Sequence, residues 1–173
     1  MGTGHPIPTL RAARAEDFDF LFRVYGSTRE DELSATGWDE HQRRAFLVMQ
    51  FNAQGQYYRR NFPHARFDVI EVQGTPVGRF YVDRPEREIR VLDIALLPAF
   101  RCQGIGTMLL NELIVEAGEQ ACPIVIHVER HNRALNLYLR LGFQLAGESA
   151  LYRRMVWSPG SSDSRAADQE KIT

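Results

Sequence analysis

Residues 101–106 read Arg-Cys-Gln-Gly-Ile-Gly and separate two apolar runs, "VLDIALLP" before them and "TMLLNELI" after. Glycine costs conformational entropy on folding, so a pair of them at such a junction marks a place where nothing larger fits. A bare turn that opens a helix presents unpaired N–H groups, and the helix dipole adds partial positive charge. Together these suit a phosphate or pyrophosphate. The donors would run from Gln103 to Thr107, with Gly104 and Gly106 allowing close approach and Arg101 adding charge. The plainer alternative is a tight loop whose glycines serve helix–sheet packing. Two familiar phosphate loops are excluded. A Walker loop needs a lysine that is missing here, and the dinucleotide fingerprint needs a third glycine where Leu109 stands.

Other side chains could act on a ligand held there. His127 and Glu129 alternate onto one face of the short run "PIVIHVE". Histidine is the side chain that ordinarily titrates near neutrality. The alternative for His127 is a half-buried strand histidine with one hydrogen bond. Asp93 is a carboxylate within an apolar strand; a structural hydrogen bond is its plainer role. Cys102 would sit beside phosphate and reads as incidental. With only Cys102 and Cys122, the chain has neither a disulfide framework nor a zinc site, so no metal is expected and a reducing cytoplasm is the default.

These residues need elements to position them. "PTLRAA" (8–13) reads as a first strand. Residues 16–25 place Phe18, Leu21, Phe22 and Tyr25 on one face of a helix. Residues 29–33 read as a charged connection. A second helix is expected from Thr36 as N-cap, with Trp38, Ala45, Phe46, Met49 and Ala53 sharing one face. Strands follow at 67–72, 77–83 and 87–97, the first two joined by the turn residues 73–76 and the third stopped by Pro98. Ile105, Leu109, Leu113 and Ala117 mark a helix by their spacing of four. Residues 123–129 form a strand expected to be buried on both faces. A short helix at 133–141 ends at Gly142, and the last two strands close a hairpin.

The order is β-α-α-β-β-β-α-β-α-β-β. Its three-strand meander is antiparallel, while the strand–glycine loop–helix–strand unit demands a parallel pair. The expected fold is therefore α+β: a central, mostly antiparallel seven-stranded mixed sheet with helices on both faces. Its fourth and fifth strands form the one parallel pair. A single domain spans 9–157, between a flexible N-terminus (1–8) and a tail (158–173) too poor in apolar residues to fold.

Composition removes several functions. A net charge of −1 gives no general pull toward nucleic acid or membrane. The basic groups Arg59 with Arg60, Arg84 with Arg87 and Arg90, and Arg153 with Arg154 are scattered among acids, which argues against a nucleic-acid-binding domain. No apolar run approaches the ~20 residues of a membrane span.

"DIALLPAFRCQGIGTMLL" resembles the signature of the GNAT superfamily of N-acetyltransferases: a strand ending in apolar residues and proline, then [R/Q]-x-x-G-x-[G/A]. "HVERHNRALNLYLRLGF" resembles that family's second half. The likeness covers residues 9 to 157 and implies a three-layer GNAT fold with acetyl-CoA as donor. It implies that Arg101, Cys102, Gln103, Gly104, Ile105, Gly106 and Thr107 cradle the pyrophosphate. It also implies that Ile94, Ala95, Leu96 and Leu97 pair with the pantetheine arm. The thioester carbonyl would then face a backbone N–H near Leu96, polarised for attack by an amine.

Tyr138 aligns with the tyrosine that in many members protonates the leaving thiolate; packing into the core is its alternative. Asn132 matches an asparagine that contacts the coenzyme, although six residues rather than seven separate it from Tyr138. His131 takes its place if the register slips, and a loop or N-cap role is the alternative. The attacking amine must lose a proton, to His127, Glu129, Asp93 or water. Glu30, Asp31 and Glu32 fall where the family forms its acceptor side, and either hold a cationic amine or form a solvated loop. The resulting expectation is an N-acetyltransferase of a small-molecule or peptide primary amine, with direct attack in a ternary complex. The competing expectation is a non-catalytic acetyl-CoA sensor of the same fold. The acceptor is undefined, and a homodimer is left open.

Overall fold

Pro8 begins the edge strand β1 (Pro8–Ala12), the one place in a strand where a missing N–H costs little. β1 pairs antiparallel with β2 (Arg66–Val72), which pairs antiparallel with β3 (Thr75–Asp83). Gln73 and Gly74 join them, both in the left-handed region (φ 52° and 75°), the conformation that a two-residue hairpin turn requires. The register slips between Ile70 and Glu71, where Pro76 cannot donate to the ladder. This computed structural model describes residues 7–130 and 132–160; most of the expected N-terminal and C-terminal tails, and His131, lie outside them.

The seven strands form one mixed sheet in the order β1-β2-β3-β4-β5-β7-β6. β4 (Ile89–Leu96) and β5 (Ile124–Glu129) are parallel, with Ile89 opposite Ile124. Helix α3 (Ile105–Glu119) is the crossover between them. β5 pairs antiparallel with β7 (Tyr152–Trp157), and β7 with β6 (Gln144–Glu148). The expected fold class is the one observed. The chain groups into two units, Met1–Val82 with Asp93–Ile105, and Asp83–Leu92 with Gly106–Thr173.

In the first unit, helix α1 (Phe18–Ser34) buries Phe20, Leu21 and Val24 in a cluster with Val69 and Ala95. The charged stretch 29–33 is not a connection, as expected, but the last turns of this helix. Leu33 is buried and anchors it, Arg29 pairs with Glu32 at 3.3 Å, and Ser34 donates back to the Glu30 carbonyl. Thr36 does not cap the second helix; its hydroxyl donates to the Leu33 carbonyl and closes α1. Helix α2 (Glu40–Asn61) starts instead on Asp39. The Asp39 carboxylate accepts the Gln42 N–H at 2.8 Å, and the Gln42 side chain accepts the Asp39 N–H at 3.0 Å. The expected shared face of α2 points outward, with Met49 57% exposed. Its inward contact is Phe51, whose ring meets Phe18, Phe22 and Tyr25. Arg11 closes the strand end by bonding Asp17 at 2.7 Å and Glu71 at 2.6 Å.

In the second unit, Leu109, Leu110, Leu113 and Ala117 of α3 are buried, as are Ile124, Val125, Ile126 and Val128 of β5. β5 is buried on both faces, as expected, only from Ile124 to Ile126; beyond that His127 and Glu129, on the same face as buried Val125, are exposed. Helix α4 (Leu135–Arg140) ends at Gly142, whose φ of 91° is the anticipated left-handed cap. Arg84, Arg90 and Arg153 are engaged by Glu116, Glu88 and Glu148 respectively. Among the described residues, no helix is long and apolar enough to cross a membrane. No group of three His, Cys, Asp or Glu among them could hold a metal ion.

Candidate active site

β4 delivers the first part of the site. Ala95 at its end is buried; Ile94, Leu96 and Leu97 are half-buried. The strand runs unusually close to β3. A Cβ added to Gly78 would lie 2.3 Å from the Ala95 carbonyl oxygen and 2.8 Å from the Leu96 side chain. Only glycine permits that approach. The Leu97 N–H donates to the Val77 carbonyl at 2.9 Å and fixes the end of the strand.

The chain then turns through Pro98–Phe100 in one short 3-10 turn, closed by the Arg101 N–H on the Pro98 carbonyl. Cys102 (φ 60°) and Gly104 (φ 83°) are both left-handed. Positive φ at these two positions turns the chain sharply into the helix that follows. Helix α3 begins at the next residue, Ile105, which is buried and anchors the turn from beneath. The N–H groups of this first turn have no intrahelical partner. Cys102 and Gln103 are exposed, while Gly104, Gly106 and Thr107 are half-buried. The Gln103 side chain donates to the Ala99 carbonyl at 2.7 Å.

Arg101, expected to add charge for a ligand, is bonded to neutral groups of the protein. Its Nε donates to the Leu96 carbonyl at 2.9 Å. Its Nη2 donates to the Ser27 carbonyl at 3.1 Å and the Ser27 hydroxyl at 3.0 Å. Asp93 is also committed. Arg79 Nη2 donates to Asp93 Oδ2 at 2.6 Å and to Gln54 Oε1 at 3.2 Å. The Arg79 guanidinium lies 5.5 Å from the Tyr25 ring centre and 5.4 Å from that of Tyr81. Burial is the largest single effect and opposes the Arg79 charge, but Asp93, Tyr81 and Tyr58 together outweigh it and raise the pKa overall. Burial also pushes the Tyr81 phenol up.

The second unit carries the other expected residues. His127 and Glu129 share the exposed face of β5, opposite Arg154 and Tyr152 of β7. Asn132 is exposed, and its side-chain oxygen accepts the Ala134 N–H at 2.8 Å. Tyr138 is 3% exposed, with its ring edge-on to Phe143 at 5.8 Å. Leu139, the next residue on α4, is 42% exposed.

Sequence reasoning missed Gly78, Ser27 and Arg79. Gly78 had a readable signal, since an isolated glycine in a strand often marks a close backbone approach. Ser27 had none, because its partner lies 74 residues away.

The sequence matches the acetyltransferase (GNAT) family over residues 30–143. The fold is similar to that of the PaiA N-acetyltransferase of Thermoplasma acidophilum, solved in complex with coenzyme A. That match has a TM-score of 0.67 and 16% identity, over 87% of this chain and 98% of that one. An acetyltransferase of Thermus thermophilus matches at TM-score 0.65 and 14% identity, over 89% and 98% of the two chains. A histone acetyltransferase HPA2-related protein of Corynebacterium glutamicum matches at 0.63 and 22%, over 89% and 97%. With the glycine loop, the parallel strand pair and two thirds of the sequence in agreement, this chain belongs to the acetyltransferase (GNAT) family.

Proposed function

We propose that the chain transfers the acetyl group of acetyl-CoA to a primary amine of a small molecule or peptide, by direct attack within a ternary complex. The observation that carries this reading is the loop at 101–107: two left-handed residues, Cys102 and Gly104, open α3 immediately after β4. That geometry suits a pyrophosphate on the N–H groups from Gln103 to Thr107. Ile94 to Leu97 supply backbone for the pantetheine arm, and Asn132 contacts the coenzyme.

The amine nitrogen attacks the thioester carbonyl carbon, whose oxygen is polarised by a backbone N–H near Leu96. The C–S bond then breaks. The Tyr138 hydroxyl gives its proton to the departing sulfur, and the amine's proton passes to His127, directly or through a water. Glu129 or water are the other acceptors of that proton. Asp93 ranks below them, since Oδ2 is held by Arg79. Residues 9–157 act as one acetyltransferase domain, in a reducing compartment that suits the free thiols Cys102 and Cys122.

A second reading, an acetyl-CoA-binding module without catalysis, is favoured by the burial of Tyr138 against Phe143. A thiol-release assay with acetyl-CoA against polyamines, amino acids, aminoglycosides and peptides separates the two. Sustained release that depends on one of the amines supports the transferase; tight acetyl-CoA binding with no amine-dependent release supports the module.

A further inference from the structure

Arg101 opens the glycine loop, and its guanidinium is bonded to residues outside that loop. Nε is on the Leu96 carbonyl, at the end of β4, and Nη2 bridges the carbonyl and hydroxyl of Ser27, in the middle of α1. Ser27 is fully used: its hydroxyl accepts from Arg101 while donating to the Val24 carbonyl at 2.8 Å. Val24 itself is completely buried, and Tyr25 carries the Arg79 guanidinium that grips Asp93 of β4. The middle of α1 is therefore tied to β4 at two points, and one of those ties leaves directly from the loop.

We propose that Arg101 is a positioning residue that transmits occupancy of the 101–107 loop to helix α1, rather than a ligand of the phosphate. The proposal rests on the coenzyme reading of that loop. An anion that fixes the N–H groups after Arg101 also fixes the backbone from which this side chain leaves. The planar fork then holds Leu96 and Ser27 at one spacing. Lysine has the charge but a single ammonium, and cannot hold both carbonyls and the hydroxyl in that geometry. The acidic end of α1, with Glu30, Asp31 and Glu32, continues directly from the tied segment. Loading the coenzyme thus orders the helix that carries these carboxylates before an amine arrives.

The test uses the full chain, the variants Arg101→Lys, Arg101→Gln and Ser27→Ala, and acetyl-CoA as probe. Amide exchange at residues 24–31 is followed with and without saturating acetyl-CoA, and affinity is measured by calorimetry. In the wild type, acetyl-CoA should slow exchange at 24–31 by roughly threefold to tenfold, the scale of one ordinary net hydrogen bond. Both Arg101 variants should still bind acetyl-CoA, with similar affinities, and should lose that protection. Ser27→Ala, which keeps the carbonyl bond, should lose part of it.

The proposal is overturned if Arg101→Gln weakens acetyl-CoA binding by about tenfold and Arg101→Lys restores it, the pattern of a charge on phosphate. It is equally overturned if either Arg101 variant binds acetyl-CoA and keeps the wild-type protection of α1, or if the wild type shows none. Failure of the wild type to bind acetyl-CoA at all would defeat both the functional reading and the transmission that rests on it. Faster exchange at 24–31 in coenzyme-free Arg101→Gln would then show that the tie itself survives that failure.

Discussion

Arg79 on β3 and Asp93 on β4 form a buried pair, Nη2 to Oδ2 at 2.6 Å, with the arginine side chain only 2% exposed. Arg79 Nε is buried as well and makes no hydrogen bond among the described residues. The pair is thus held chiefly by Asp93, by Gln54 and by the rings of Tyr25 and Tyr81. Removing one partner leaves the other charge buried and alone. Arg79→Met should lower unfolding free energy by about 3 kcal/mol or more, and Arg79→Met with Asp93→Asn should recover part of that loss. Urea unfolding measures both. A cost under about 1 kcal/mol for the single variant would mean that Asp93 finds water readily.

Arg11 beside Asp17 holds that carboxyl down at about 2, against an ordinary 3.8, with the Arg14 N–H adding a second bond at 2.8 Å. The folded pKa is the lower one, so the ion pair stabilises the fold above pH 4 and is lost as pH falls toward 2. The contribution is of order 2 kcal/mol, less what solvent screening removes on the Arg11 side. Asp17→Asn should flatten that part of the stability profile between pH 5 and pH 2. An unchanged profile would assign acid lability to other carboxylates.

Gly78→Ala puts a methyl group where the Ala95 carbonyl now lies. β4 must shift, at a cost of about 1–3 kcal/mol, and it is the end of that strand that should hold the pantetheine arm. A calorimetric loss of acetyl-CoA affinity in a folded variant is expected. Retained affinity would separate the strand end from the coenzyme.

Tyr138→Phe removes one hydroxyl and keeps the ring against Phe143. If the hydroxyl protonates the leaving sulfur, kcat falls by ~10²-fold or more with little change in KM for acetyl-CoA. A variant within about threefold of wild type would assign Tyr138 to packing, as its burial allows.

The element order and the parallel strand pair were legible because each follows from local pattern: alternation, spacing of four, and glycine before a helix. Helix ends were less so. The run from Arg29 to Leu33 shows too little apolar periodicity to declare itself helical, and Thr36 and Asp39 are both chemically able to cap; only the reciprocal bond with Gln42 decides between them. The exposure of His127 could not be read from a β-branched run that also suits a strand covered on both sides. At the site, the loop was legible and its wiring was not. Arg101 could be seen to carry charge, but its partners Leu96 and Ser27 come from tertiary placement. Asp93 was equally ambiguous until Arg79 was found against it.

The most direct test is a calorimetric titration of acetyl-CoA into the wild-type chain and Gly104→Val. Gly104 sits at φ 83°, which a branched side chain adopts only with strain, and it is the position where the proposed cradle has a phosphate approach. Melting curves establish that the variant is folded. The wild type should bind acetyl-CoA, and the folded variant should bind at least ~100-fold more weakly, the loss of about two charge-assisted bonds. Equal affinities in the two folded proteins would contradict the assignment of the backbone from Gln103 to Thr107 as the coenzyme's cradle.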